Sequence, residues 1–336
     1  MIPIPRGLPR GVPYPMGFPK GSNGVLTLWS STGIHSPCAK SNGMPMTETW
    51  TILKLLEWST QYFRDKKIES ARLDAELLLG HILGLSRVQL YTQFDRLLNS
   101  EELQRYKILF KRRSEREPLA YLLGKKEFFS MEFEVSPDVL IPRPETELLV
   151  EEAIQYAMKS QTGSADLHIL DLGTGSGCIA IALAKKFSQA SITALDISEA
   201  ALTWAQKNAK KHGVEKQIRF IKTDFLEFLP ESALYDLILS NPPYIATLEI
   251  PNLAPELRFE PNAALDGGAD GLQFYRKLLP WAFKNLQKKG QAYFEMGDKQ
   301  AKALEELATN TGFQKISILK DYAGNPRVLS LSNKPS

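Results

Sequence analysis

Ser240-Asn241-Pro242-Pro243-Tyr244 gathers residue types that can hold and orient an amino group. The Asn241 side chain offers a carbonyl oxygen. Two consecutive prolines remove two backbone donors, so the main-chain carbonyls of Asn241 and Pro242 become acceptors that no sheet needs. Prolines also push the preceding residue into extended backbone, which suits a chain leaving a strand. Upstream, Tyr235 to Leu239 is a short apolar run without alternation, the pattern of a buried parallel strand, and this places the motif at a strand end. The Tyr244 ring can then cover a flat group held there. A plain Asn-Pro turn carries the same signature, so the motif acquires chemical meaning only from a partner.

That partner is Asp171-Leu172-Gly173-Thr174-Gly175-Ser176-Gly177, a glycine-rich turn between an apolar strand and the helix that follows. Its GxGxG spacing differs from the GxGxxG of dinucleotide folds, and no Lys-Ser/Thr pair follows as in a P-loop, so phosphate is not the expected ligand. Asp196 ends the next strand, 19 residues beyond Gly177, where a carboxylate can accept both hydroxyls of a ribose. Asp224 ends the third strand and can accept from an adenine amino group, with Phe225 beside it to pack the ring. A single strand-end Asp is an ordinary helix cap. Three around one glycine loop describe a pocket for S-adenosylmethionine, and no metal is required.

These residues need a scaffold that brings several strand ends together. From His168 the chain alternates strand and helix: Ile169 to Leu172, a helix from Gly177, Ser191 to Ile197, a helix from Glu199, Ile218 to Thr223, then Tyr235 to Ser240. A helix from Asp270, Gln291 to Met296, a helix from Lys299, Ile316 to Leu319 and Val328 to Ser332 complete the series. Such alternation predicts an α/β domain, a mostly parallel sheet of seven strands covered by helices, with ligands beyond the carboxyl ends of the strands. Just upstream, Ile141-Pro142-Arg143-Pro144-Glu145-Thr146-Glu147 reads as a helix start. Pro144 suits the first helical position and the glutamates suit its positive end, but neither rule needs Arg143, which is held as a candidate site residue.

Residues 47–117 are helical in pattern, with apolar positions at threes and fours (Ile52, Leu55, Leu56; Leu73, Leu77, Leu78; Leu103, Tyr106, Phe110). Gly80, Gly84, Ser86 and Ser100 divide them into four or five helices, which form either a packing cap or a module that recognises a macromolecular partner. Residues 118–140, with Phe128, Phe129, Phe133 and Val135 partly alternating, read as a hairpin linking this domain of residues 46–117 to the α/β domain of residues 141–336. Residues 1–45 hold eight of the 21 prolines and no acid, a composition expected of a disordered extension, whether a mis-assigned start or a targeting tail.

A net charge of +3 is too small to announce a nucleic-acid binder, and the local clusters Lys111 to Arg113 and Lys284 to Lys289 read as solvated helix faces. No apolar run reaches the roughly 20 residues a membrane span needs. The two cysteines, Cys38 and Cys178, have neither disulfide nor metal spacing, which fits a reducing, cytoplasmic compartment, and Cys178 reads as a small buried hydrophobe.

Taken together, the chain from about Met46 onward resembles the HemK/PrmC family of protein-glutamine N5-methyltransferases. The glycine loop and acidic strand ends are common to many methyltransferases. More specific are Ile141 to Glu147, Arg258-Phe259-Glu260-Pro261 with Ala264-Leu265, and Gly267 to Leu272. The resemblance implies a Rossmann-like class I methyltransferase domain behind a small helical domain, acting on the Gly-Gly-Gln loop of class 1 peptide chain release factors. It further implies that Gly173, Thr174, Gly175, Ser176, Gly177, Asp196, Asp224, Phe225 and Asn241 hold the cofactor. Asn241, Pro242, Pro243 and Tyr244, with Arg143 and Phe128, would hold the glutamine. Phe225 keeps the aromatic face, without an indole donor, that some relatives supply with tryptophan. Two other readings stand beside this one. An adenine-N6 methyltransferase would present the same two donors to Asn241 and Pro242 but needs base flipping and a basic surface. An inactive cofactor-binding scaffold would have no use for both halves of the site.

Overall fold

Thr51 starts the first helix by accepting the Lys54 backbone N–H on its hydroxyl at 3.2 Å. The computed structural model describes residues 49–159, 167–228 and 234–333, and the extension expected over residues 1–45 lies outside them. Five helices come first: α1 (Ile52–Asp65), α2 (Ala71–Leu83), α3 (Arg87–Thr92), α4 (Ser100–Ser114) and α5 (Leu119–Leu123). Their apolar faces meet around Trp50, Phe63, Leu78 and Tyr106, with the Phe63 and Phe110 rings stacked at 4.9 Å. The helical run thus extends past residue 117.

Three local expectations change here. Gly80 does not break a helix; it sits inside α2, where a Cβ would come within 2.6 Å of the Leu85 carbonyl oxygen. Asn99 caps α4 in place of Ser100, in a reciprocal box with Glu102 at 2.9 and 3.0 Å. Arg113 does not belong to a solvated face. It is buried, and its Nε donates to Asp74 at 2.7 Å while Nη1 donates to Glu256 at 3.2 Å.

A hairpin of β1 (Lys125–Phe128) and β2 (Met131–Glu134) follows, turned by Phe129 and Ser130, both at positive φ as a two-residue loop requires. Then α6 (Pro144–Lys159) leads into the large sheet through β3 (His168–Leu172), α7 (Cys178–Lys186), β4 (Ser191–Asp196), α8 (Glu199–Lys211), β5 (Ile218–Lys222) and β6 (Tyr235–Ser240). Three short 3-10 turns between residues 250 and 264 precede α9 (Gln273–Asn285), β7 (Leu286–Glu295), α10 (Ala301–Thr311), β8 (Lys315–Lys320) and β9 (Pro326–Ser332). Because β7 begins at Leu286, Lys288 and Lys289 lie on a strand; they are exposed, but not on a helix face.

The seven strands run β5-β4-β3-β6-β7-β9-β8, all parallel except β9. One core, on the face covered by α6, α7 and α8, contains Leu149, Ile181 and Ala209; the other, under α9 and α10, contains Leu278 and Leu304. Strand order reverses between β3 and β6, and connections that leave these neighbours in opposite directions open a crevice at their carboxyl ends. Register pairs Leu172 with Ser240 and with Leu195, so Asp171, Asp196 and Asn241 reach one edge of the sheet. Among the described residues no helix is long and apolar enough to cross a membrane.

Candidate active site

A cleft of about 810 Å³ opens at that edge. Gly173 and Gly175 line it at φ 71° and 54°, and a Cβ on either would meet nothing within 4 Å, so both turn a bare backbone surface to the cleft. Gly177 serves packing instead, since a Cβ there would crowd the Ala205 backbone at 3.2 Å, and its absence lets α7 pack on α8. The loop is tied to β4 where the N–H groups of Gly173 and Thr174 both donate to the Leu195 carbonyl at 2.9 Å. Asp196 accepts from the Gly175 and Ser198 N–H groups at 2.9 Å, one on each oxygen, and each oxygen keeps a lone pair. Burial raises its pKa against those two bonds. Asp224 accepts from the Leu226 N–H at 3.0 Å, and Phe225 is wedged against Phe274, ring centres 4.9 Å apart, and edge-on to Trp281.

Beneath the loop, Asp171 is fully buried. Its Oδ2 accepts from the Thr174 hydroxyl at 2.7 Å and the Ala180 N–H at 3.3 Å, while Oδ1 has no partner among the described residues. Burial pushes its pKa up to about 7. An orphaned buried acceptor below an open glycine turn, with acceptors at Asp196 and Asp224 and an aromatic wall, suits a nucleoside cofactor carrying donors and a flat base.

The other half of the cleft is formed by Asn241, Pro242 and Pro243. Asn241 Nδ2 donates to Thr146 Oγ1 at 3.1 Å, and among the described residues none donates to the Pro242 carbonyl. Thr146 in turn donates to Glu295 Oε2 at 2.5 Å. Gln300 closes the back of the motif, its Nε2 donating to the Tyr244 carbonyl at 2.9 Å and the Gly271 carbonyl at 3.1 Å. Gly271 is needed for that contact, since a Cβ there would lie 2.4 Å from the Tyr244 oxygen.

Residues 54–124 match the PrmC N-terminal domain and residues 164–322 a methyltransferase domain. The release factor glutamine methyltransferase of Geobacter sulfurreducens is 44% identical over 283 residues, 84% of this chain and 96% of that protein. The one from Rhodopirellula baltica is 40% identical over 84% of this chain and 96% of its own length. This chain belongs to the release factor glutamine methyltransferase family. Its fold is also that of the hMettl16 catalytic domain solved with the MAT2A 3′UTR hairpin 6, at TM-score 0.50 and 17% identity over 67% of this chain and 82% of that one.

In this family member the expected residues are not all at the cleft. Gly173, Gly175, Asp196, Asp224, Phe225, Asn241, Pro242 and Pro243 line it, whereas Thr174 and Ser176 are buried behind it. Tyr244 differs from the expectation of an aromatic cover: it is not in the lining, its ring packs on the core under α9, and its hydroxyl donates to Glu295 Oε1 at 3.3 Å. Phe128 is corrected outright, being fully buried and edge-on to Phe133 at 6.0 Å in the core below α6. Arg143 is also absent from the lining. Its guanidinium pairs with Glu260, whose other oxygen accepts the Ile141 N–H at 3.1 Å, so it braces residues 141–143 against the loop that forms one cleft wall. Cys178 is buried and its thiol is pushed up to about 12, as an inert small hydrophobe should be. Sequence reasoning misses Thr146 and Glu295. Both leave a signal in the chain, because Thr146 lies inside the Ile141 to Glu147 stretch and Glu295 is one more acid at a strand end.

Proposed function

We propose that this protein transfers a methyl group from S-adenosylmethionine to the side-chain amide nitrogen of the glutamine in the Gly-Gly-Gln loop of class 1 peptide chain release factors. The observation that carries the reading is the pinned Asn241: with its NH2 given to Thr146, its Oδ1 is left as an acceptor beside the unused Pro242 carbonyl. Those two oxygens match the two N–H groups of a primary amide. S-adenosylmethionine supplies a methyl group on a sulfonium, which leaves as a neutral thioether.

The remaining chemistry is positioning by this chain. An amide nitrogen is a weak nucleophile because its lone pair is delocalised into the carbonyl. Accepting both N–H groups on fixed oxygens restricts rotation about the nitrogen and sets the direction of its lone pair, and well-aligned reactants gain as much as about 7–11 kcal/mol over free encounter. As the nitrogen gains the methyl it becomes acidic, so it sheds one proton to water without a strong base. On the cofactor side, Asp196 and Asp224 would accept from ribose and adenine, and Phe225 would pack the base.

A glutamine in a packed fold cannot reach this cleft, so the target must be presented on an exposed loop, and flanking glycines let that loop enter without side-chain clashes. The five-helix cap would read the body of the release factor; it exposes Val88, Tyr91, Phe94 and Leu97 within ten residues. The exocyclic amino group of adenine is not favoured as the acceptor, because the relatives that cover most of the chain are glutamine methyltransferases. Incubating the protein with methyl-labelled S-adenosylmethionine and a mixture of release factor and nucleic acid should put the label on the release factor glutamine. Label on the nucleic acid would overturn the reading.

A further inference from the structure

The hydroxyl of Thr146 has one proton, and a carboxylate at Glu295, which can only accept, fixes where it goes. It is donated to Glu295 Oε2 at 2.5 Å, so toward Asn241, 3.1 Å away, Thr146 can only accept. That polarity decides which end of the Asn241 amide faces Thr146, a choice that side-chain shape alone leaves open. Tyr244 completes the arrangement from the other side, its hydroxyl donating to Glu295 Oε1 at 3.3 Å. Thr146 and Glu295 are 2% and 1% exposed, so water does not replace either bond.

We propose that Glu295 is a positioning residue: as a carboxylate it orders Thr146, and through it Asn241, so that Oδ1 and not the NH2 group meets the target amide. This rests on the reading of Asn241 as the acceptor for the substrate nitrogen. A Glu295 protonated on Oε2 reverses the relay. Its O–H donates to Thr146, the Thr146 proton turns to Asn241, and Asn241 can receive it only through Oδ1. The amide must then flip, and its NH2 confronts the NH2 of the glutamine, donor against donor.

The groups around Glu295 make both forms accessible. Burial raises its pKa most, with Thr146, Tyr244 and Arg327 of β9 opposing and Glu145 of α6 adding to the rise, and the result is about 7. Tyr275 of α9 donates to the Glu295 main-chain oxygen at 2.5 Å, and its own pKa is raised well above the usual value by burial. Tyr244 is raised likewise, and the Cys178 thiol of α7, at about 12, stays neutral. Asp171, which bears on Cys178, titrates in the same range, so a variant at Glu295 is needed to assign the transition.

The test compares wild type, Glu295→Gln, Thr146→Val and Thr146→Ser by kcat and KM on intact release factor, by thermal unfolding, and by the Asn241 side-chain amide NMR signal without substrate. Glu295→Gln and Thr146→Val should lower kcat roughly 10²-fold, the size of effect that small misplacement causes, with KM and folding retained. Wild-type kcat should rise with pH through about 7, and that limb should vanish in both variants. Thr146→Ser should recover most of the loss seen in Thr146→Val and bring the limb back. The Asn241 signal should titrate near 7 in wild type and not in Glu295→Gln. Wild-type kcat in Glu295→Gln, an unchanged acid limb there, a loss confined to KM or to folding, or an Asn241 signal that ignores pH in wild type would each overturn the proposal. Failure of wild type to methylate glutamine would instead sink the functional reading, while the substrate-free Asn241 titration would still decide the relay.

Discussion

Among the described residues five carboxylates are buried: Asp74 and Glu76 in the helical cap and Glu260 in the sheet domain face guanidinium groups, whereas Asp171 and Glu295, also in the sheet domain, are handled in the opposite way. In the cap, Asp74 meets Arg113 at 2.7 Å, and Glu76 meets Arg72 at 2.6 Å and Arg87 at 2.8 Å. In the sheet domain, among the described residues, the Asp171 side chain meets only a threonine hydroxyl and a backbone N–H, and the Glu295 side chain only the Thr146 and Tyr244 hydroxyls. Desolvation acts on both kinds. For Glu76 the bonds from Tyr91, Arg72 and Arg87 outweigh it and hold the pKa below the usual value, whereas burial lifts Asp171 and Glu295 to about 7. A buried carboxylate with a guanidinium partner ties segments of the chain together; Asp171 and Glu295, with neutral donors, can change state, and both sit beneath the cleft.

The strongest way to break this contrast is to remove a fixed partner. Arg113 also reaches Glu256 in the 3-10 turns of the sheet domain, so Arg113→Ala leaves Asp74 buried without its guanidinium and leaves Glu256 to Arg116 alone. A loss of about 3–5 kcal/mol is expected from such an unpaired charge, measurable by urea unfolding. A cost under about 1 kcal/mol, the size of a surface pair, would show that the cap does not depend on it.

A smaller effect, of opposite sign on the two sides, should appear in stability against pH. Asp171 and Glu295 keep their protons in the native state up to about 7 but release them from ordinary values of 3.8 and 4.5 when unfolded. The native state therefore binds more protons across that window, and their contribution to stability falls as pH rises through it. Asp171→Asn should flatten the fall. Glu76, with a lowered pKa, contributes stability above its ordinary value of 4.5 that is lost as pH drops through the folded pKa, so Glu76→Gln should remove an acid-side loss. Unfolding curves that change in the same direction with pH in both variants would erase the distinction.

What can be read from the sequence follows the same division between local and distant causes. The glycine loop and the strand-end acids are legible because their geometry is set within a few residues, and buried parallel strands announce themselves as apolar runs. Arg113 escapes such a reading because helix periodicity gives a face and says nothing of a partner 143 positions away. Asn241 stands out through its prolines, yet what orients it comes from Thr146, 95 positions back, and from Glu295, 149 positions beyond Thr146. The strand Gln291 to Met296 reads as a buried run, which hides the fact that Glu295 ends it as Asp196 ends its own. Phe128 and Tyr244 look like ligand contacts because aromatic residues serve cores and sites alike, and only the packed structure tells the two apart.

If Asn241 and Pro242 hold a glutamine amide for methylation, the atom that receives the methyl group must be the nitrogen of that amide. Intact release factor carrying isotope-labelled glutamine side-chain nitrogen would be incubated with methyl-labelled S-adenosylmethionine and either wild type or Asn241→Ala, and the new carbon–nitrogen bond read by NMR and mass spectrometry. A bond to the side-chain nitrogen of the Gly-Gly-Gln glutamine is expected, formed roughly 10²- to 10³-fold more slowly by Asn241→Ala, as when one preorganised polar contact is removed. A methyl group on any other atom, or equal rates for the two proteins, would contradict this role of Asn241 and Pro242.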